Sequence, residues 1–134
     1  LAPETVLICC DTVVIYQETI LGKPSDANEA IETIETLSGK AHEVMSAVAL
    51  FHNNTWIEFN DITQIEFNQI NKHDIESYVK NFKPYDKAGA YGIQEWIGLI
   101  GVKEIKGSYT NVIGLPTQKL YNELRKLNFE PEFD

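Results

Sequence analysis

Val6-Leu7-Ile8-Cys9-Cys10 is an unbroken apolar run, and Asp11 interrupts it before Val13-Val14-Ile15-Tyr16 resumes it. A strand with one wet face alternates apolar and polar residues. A continuous run reads instead as a strand buried on both faces, in the middle of a sheet. Such a strand needs neighbours on both sides, and only Leu1 to Thr5 precede it. The reading therefore requires later strands to flank it, or a segment upstream of Leu1. Ligand sites of open α/β sheets gather at the carboxyl ends of strands. Asp11, placed at the end of the first apolar segment, is thus either a functional carboxylate or a turn aspartate.

The rest of the chain alternates strand and helix patterns. Leu21-Gly22-Lys23-Pro24 reads as a loop, where Pro24 holds Lys23 extended; Lys23 is either a site cation or a plain surface lysine. Ser25 or Asp26 caps a helix with an Ala30, Ile31, Ile34, Leu37 stripe, and Gly39 ends it. Val44 to Phe51 and Thr55 to Phe59 form a hairpin around Asn53-Asn54, and Ile62 to Phe67 continues as strand. Asn71 caps a second helix carrying Ile75, Tyr78, Val79 and Phe82. Leu99 to Ile105 reads as a further strand, and Pro116 opens a helix with a Leu120, Leu124, Leu127 stripe. The tail from Phe129 to Asp134 is acidic. This order predicts one α/β domain over residues 1–134, with a mixed β-sheet and flanking helices.

Composition narrows the function classes. The formal charge of −9 argues against a nucleic-acid surface, which needs clustered Lys and Arg. No apolar run reaches the ~18 residues of a membrane span, and no signal-peptide pattern is present, so a cytoplasmic location is expected. Cys9 and Cys10 are adjacent, which suits neither a disulfide framework nor a metal site, and they read as reduced packing residues. His42, His52 and His73 lie on different elements and read as surface or turn residues.

The richest segment chemically is Asp86-Lys87-Ala88-Gly89-Ala90-Tyr91-Gly92-Ile93-Gln94. It concentrates an acid, a base, glycines and an amide in a way no core requires. Gly89 and Gly92 allow φ > 0 or a close approach. Asp86 and Lys87 suit a metal ion and a phosphate, and Gln94 suits the edge of a base. The plainer alternative is a surface loop with a salt bridge.

Taken in order, Asp11-Thr12-Val13-Val14, Leu21-Gly22-Lys23-Pro24, Leu37-Ser38-Gly39 with His42 and Val44, Tyr78, Asp86 to Gln94, Gly107-Ser108-Tyr109 and Asn111 to Pro116 resemble the Maf family of nucleoside triphosphate pyrophosphatases. The resemblance covers nearly the whole chain and implies a fold like that of Maf and inosine triphosphatase proteins. Asp11-Thr12 and Gly92-Ile93-Gln94 resemble the branch that hydrolyses dTTP and UTP rather than the one acting on 7-methyl-GTP. The resemblance implies Asp11 as the catalytic acid/base, with Lys23 and Lys87 as catalytic cations. It implies Thr12, Gln94 and Asp86 at the substrate, and Asp11 and Asp86 as ligands of Mg²⁺ or Mn²⁺. It also implies a nucleoside triphosphate substrate and a homodimer.

One departure is expected to matter. The family begins with a strand and a Ser-x-Ser-Pro-Arg-Arg loop that holds phosphates, and this sequence has neither. The domain therefore reads as N-terminally incomplete, and the chain alone as a weak or inactive catalyst. The family link to septum formation gives a second reading, a non-catalytic regulator or nucleotide-binding protein.

Overall fold

The computed structural model describes residues 4–133. Its centre is the hairpin of β3 (Ala41–His52) and β4 (Thr55–Phe67). Asn53 and Asn54 join them with φ of 49° and 57°, the positive pair that a two-residue turn matched to strand twist requires. On one side of the hairpin lies β1 (Leu7–Tyr16), followed by the short β2 (Thr19–Leu21); on the other lies β5 (Val102–Lys106). The sheet order is β2-β1-β3-β4-β5.

The α/β class with flanking helices holds, but the expected mixture of strand directions does not. Every pairing among the described residues is antiparallel. The cause is the connectivity: β1–β2 and β3–β4 are tight hairpins, and neither crosses over through a helix.

Helices cover one face in two groups. The first comprises α1 (Ala27–Leu37) and α2 (Lys72–Phe82). Asp26 caps α1 by accepting from Glu29 N–H, and Asn71 caps α2 by accepting from His73 N–H. Ala30, Ile34 and Leu37 from α1 meet Ile75, Tyr78 and Val79 from α2 over Val14, Val44, Ile65 and Phe67 of the sheet. The second group is built on α5 (Thr117–Lys126), whose Leu120 packs on Val48 and Leu50, with Leu124 and Leu127 beside it. The amphipathic stripes of all three helices thus face the sheet as their sequence periods require.

Several expectations are corrected here. The two apolar segments around Asp11 are one strand, so Asp11 stands mid-strand rather than at a strand end. Leu7 to Asp11 are exposed, not buried on both faces. Among the described residues, β2 pairs only with Val14 to Tyr16, so the earlier part of β1 has a strand neighbour on one side alone. Cys9 and Cys10 are accordingly exposed free thiols rather than packing residues. The opposite sheet face is open, with Leu7, Trp56 and Ile62 43%, 53% and 48% exposed. Leu99 to Gly101 is not strand: it belongs to α3 (Trp96–Gly101), and β5 starts only at Val102.

His42 is not a surface residue either. It sits on β3 at 2% exposure, edge-on to Phe67 and Tyr91 at centroid distances of 5.0 and 5.5 Å. Its Nε2 shares a 2.6 Å hydrogen bond with the Tyr91 hydroxyl. Burial lowers its pKa from 6.5 to about 4, so the imidazole is neutral at pH 7. Between these values the unfolded chain takes up a proton that the folded one refuses. Stability is therefore complete above pH 6.5 and lost as pH falls toward 4, by roughly 3 kcal/mol at the limit. Urea unfolding at pH 7 and pH 4.5 should show this fall in the wild type and a smaller one in His42→Gln. An equal fall in both would assign the loss to other groups.

Candidate active-site cleft

The two helical groups do not meet over the sheet, and between them lies a cleft of about 280 Å³. Thr12, Val14 and Val44 supply sheet residues to its lining. Thr12 lies opposite Ser46 in the β1–β3 register, and their hydroxyls share a 2.8 Å hydrogen bond. Each hydroxyl also has a carbonyl acceptor in reach, Asn111 O at 3.3 Å from Ser46 and Gly114 O at 3.4 Å from Thr12, so each proton is directed within the protein.

One side of the cleft is the segment from Asp86 to Gln94. Lys83, at φ 47°, ends α2, and the chain turns back over β1 through a 3₁₀ turn at Ala88–Ala90. Gly89 makes this approach possible. Its φ is +70°, and a Cβ there would stand 2.8 Å from a Val14 methyl. Its N–H donates to Gly22 O at 3.2 Å, tying this segment to the loop that carries Lys23. The other side is Val112 to Gly114, at the end of α4 (Tyr109–Val112). Asn111 holds it down: the fully buried amide nitrogen lies 3.2 Å from Val44 O, 3.1 Å from Asp61 O and 3.0 Å from Thr63 Oγ1.

Asp11, Thr12, Lys23, Asp86, Lys87 and Gln94, all singled out from the sequence, line this one cleft. They come from β1, the loop after β2 and the α2–α3 connection. Strand alternation sets Asp11 on the other side of β1 from Thr12, and it also borders a shallow groove with Cys9, Ala47, Ala49 and Asn60. Asp86 and Lys87 form the salt bridge of the plainer reading, at 3.7 Å, with Asp86 77% exposed. An exposed pair of this kind contributes at most ~1 kcal/mol. It therefore leaves Lys87 open to a stronger anion.

Other residues that shape the cleft were not assigned a role from sequence. Tyr91 lines it and is braced from behind by His42. Tyr78, wholly buried in α2, donates to Glu95 Oε1 at 2.7 Å and accepts from Gly92 N–H at 3.1 Å. Burial, then the bond to Glu95, raises the Tyr78 pKa well above its ordinary range, so the phenol keeps its proton. The polar residues inside the apolar patterns, His42 in β3 and Asn111 before Gly114, were the available signals.

The arrangement offers cations, carboxylates and a carboxamide around an open space. Among the described residues, no three of His, Cys, Asp and Glu converge on a point. The carboxylates of Asp11 and Asp86 at the cleft are oxygen donors of the kind that hard divalent cations take.

Comparison with known proteins places the chain. The sequence model of the family described as Maf-like protein matches residues 1–127. The chain belongs to the Maf family. It is 48% identical over 127 residues to the dTTP/UTP pyrophosphatase of Christiangramia forsetii, covering 95% of this chain and 65% of that protein. It is 42% identical over 132 residues to the dTTP/UTP pyrophosphatase of Cytophaga hutchinsonii, covering 98% and 60%. The protein of the same name from Porphyromonas gingivalis is 46% identical over 122 residues. The chain thus spans less than two thirds of the length of these curated relatives.

The close approach at Gly89 makes a direct prediction for this Maf domain. Gly89→Ala combines a positive φ with a methyl group against Val14. It should cost about 2–4 kcal/mol in urea unfolding. Gly22→Ala, where a Cβ would meet nothing within 4 Å, should be close to neutral. Equal effects at the two positions would remove the Val14 contact from the account.

Proposed function

We propose that the protein is a nucleoside triphosphate pyrophosphatase that hydrolyses dTTP and UTP to the monophosphate and pyrophosphate. The observation that carries this reading is the meeting of Lys23, Lys87, Asp11, Asp86 and Gln94 in one cleft of an otherwise acidic chain. Local cations can favour an anionic substrate inside a pocket even where the whole surface is negative. The names of the relatives point the same way.

In the proposed reaction, water attacks the α-phosphorus. A new P–O bond forms, the bond to the bridging α–β oxygen breaks, and pyrophosphate leaves with the electron pair. Asp11 orients the water and takes its proton. Lys23 and Lys87 neutralise the charge that builds on the phosphates. Asp11 and Asp86 are the residues that would hold a divalent cation, Mg²⁺ or Mn²⁺. Such an ion, when bound, supplies further charge neutralisation on phosphate oxygens.

The pyrimidine preference follows from donor and acceptor bookkeeping. Because the Thr12 proton has acceptors within the protein, Ser46 Oγ and Gly114 O, its hydroxyl presents lone pairs to a ligand. That suits the N3–H of uracil or thymine. Gln94 carries both a donor and an acceptor and can meet the carbonyl edge beside it. A site built around such bonds disfavours bases that leave them unmade. Within this reading the protein acts on free nucleotides in the cytoplasm and pairs as a homodimer, as the family resemblance implies. No described helix is long and apolar enough to cross a membrane.

Asp11→Asn preserves shape and removes the base. Pyrophosphate release from dTTP by the full-length protein should fall by ~10² or more with the fold intact. A folded variant with near-wild-type turnover would take Asp11 out of the mechanism.

Gln94→Ala should narrow the preference for dTTP and UTP over ATP and GTP by about tenfold or more, since each lost buried base contact is worth ~1–3 kcal/mol. The check is kcat/KM across the four nucleotides. Equal activity on purine and pyrimidine triphosphates in the wild type would contradict the pyrimidine assignment itself.

A further inference from the structure

Tyr78 and Glu95 are seventeen residues apart in sequence, and neither lines the cleft. Between Gly92 and Glu95 the chain makes a tight turn in which Glu95 N–H donates to Gly92 O at 3.0 Å. Both ends of this turn attach to one atom, the Tyr78 hydroxyl oxygen. It accepts from Gly92 N–H at 3.1 Å and donates to Glu95 Oε1 at 2.7 Å. Gln94 is carried inside the closed turn and has its side chain exposed at the cleft.

The Glu95 side chain is committed to Tyr78 and not to the helix that it begins. Glu95 stands at the N-cap of α3, yet its side chain makes no cap hydrogen bond there. Here the carboxylate is given to Tyr78 instead. The same carboxylate packs against Gly92: a Cβ on Gly92 would stand 2.6 Å from Glu95 Oε1 and 3.0 Å from Lys87 Cε. Glu95, Gly92 and the stem of Lys87 are therefore in one contact stack.

We propose that Tyr78 and Glu95 form a positioning clamp that sets Gln94 for base recognition while touching no part of the nucleotide. The proposal rests on the reading of the cleft as a nucleotide site. Tyr78 is anchored independently of the turn, since its ring is buried in the α1–α2 core and stacks on Phe82 at 5.0 Å. Removing only its oxygen should leave that packing in place while freeing both ends of the turn. Gln94 would then sample several orientations, and the base contacts that depend on one of them would weaken.

The test is equilibrium binding, which separates it from turnover. Dissociation constants for the uncleavable α,β-methylene analogues of dTTP and ATP would be measured by calorimetry in the full-length protein as wild type, Tyr78→Phe, Glu95→Ala and Glu95→Gln. Tyr78→Phe and Glu95→Ala should each lower the preference for the dTTP analogue by about tenfold. Glu95→Gln, whose amide oxygen still accepts from Tyr78, should retain it. A purely structural role would instead track melting temperature and would not separate Glu95→Ala from Glu95→Gln. Wild-type preference in Tyr78→Phe would overturn the clamp, as would equal loss in the two Glu95 variants. If Tyr78→Phe fails to fold, the Glu95 pair decides alone. Binding with clamp-dependent preference but no pyrophosphate release would sink the pyrophosphatase reading and support the clamp. Absence of any binding by the wild type would overturn both.

Discussion

The register of β1 against β3 is the constraint on which the rest of the structure depends. It sets Thr12 opposite Ser46 on the helix-covered face, between Val14–Val44 and Cys10–Val48. Apolar pairs draw helices down: α1 and α2 pack over Val14 and Val44, and α5 packs over Val48. The two hydroxyls satisfy each other and the Asn111 carbonyl instead. The short helix α4 covers Ser46 through the polar contact of Asn111, while Thr12 stays half-buried at the cleft. The cleft is therefore the gap between two hydrophobic clusters, with Thr12 of this polar pair in its lining. A one-residue slip of β1 would exchange its two faces and move Thr12 out of the cleft.

Around that gap, the walls are fixed by single polar attachments to the core. Asn111 bonds to the β3 and β4 backbone and so holds the segment carrying Val112 to Gly114. Gly89 lies on Val14 and bonds to Gly22, which joins the Lys23 loop to the Asp86–Gln94 segment. Tyr78 reaches up from α2 to the turn that bears Gln94. The chemistry-bearing side chains stay exposed or half-buried while the groups that place them are buried. This division lets surface loops carry a defined geometry, because the rigid scaffold lies one contact behind them.

How much of this was legible in the sequence depended on whether the signal was local. Asn53-Asn54 is a strong hairpin signal, Asp26 and Asn71 are good N-caps, and those elements stand where they were expected. The β1–β2 turn was missed because Gln17 and Glu18 hold φ of 49° and 64° without the Asn or Gly that usually marks such a turn. The helix at Trp96 was partly read as strand because Leu99 and Ile100 are apolar but exposed, and only Ile97 and Gly101 are buried. A short apolar run does not distinguish the two states. The cleft residues were legible as residue types in a family order. Their supports were not, since the His42–Tyr91 and Tyr78–Glu95 bonds join positions whose proximity only the fold creates.

The charges in the cleft make a last point about how an acidic chain can receive a polyanion. Two lysines face two aspartates there, so the local balance is near neutral while the whole chain carries −9. Lys87 rests against Asp86 at 3.7 Å in a pair worth little because Asp86 is largely in water. A phosphate group would need to displace only that weak contact, and it would bring more charge at shorter range. Asp86, released, would then be free to face any cation that accompanies the phosphates. In the proposed reading the pair keeps Lys87 beside the cleft, avoids an isolated charge, and would give way at small cost to a stronger anion.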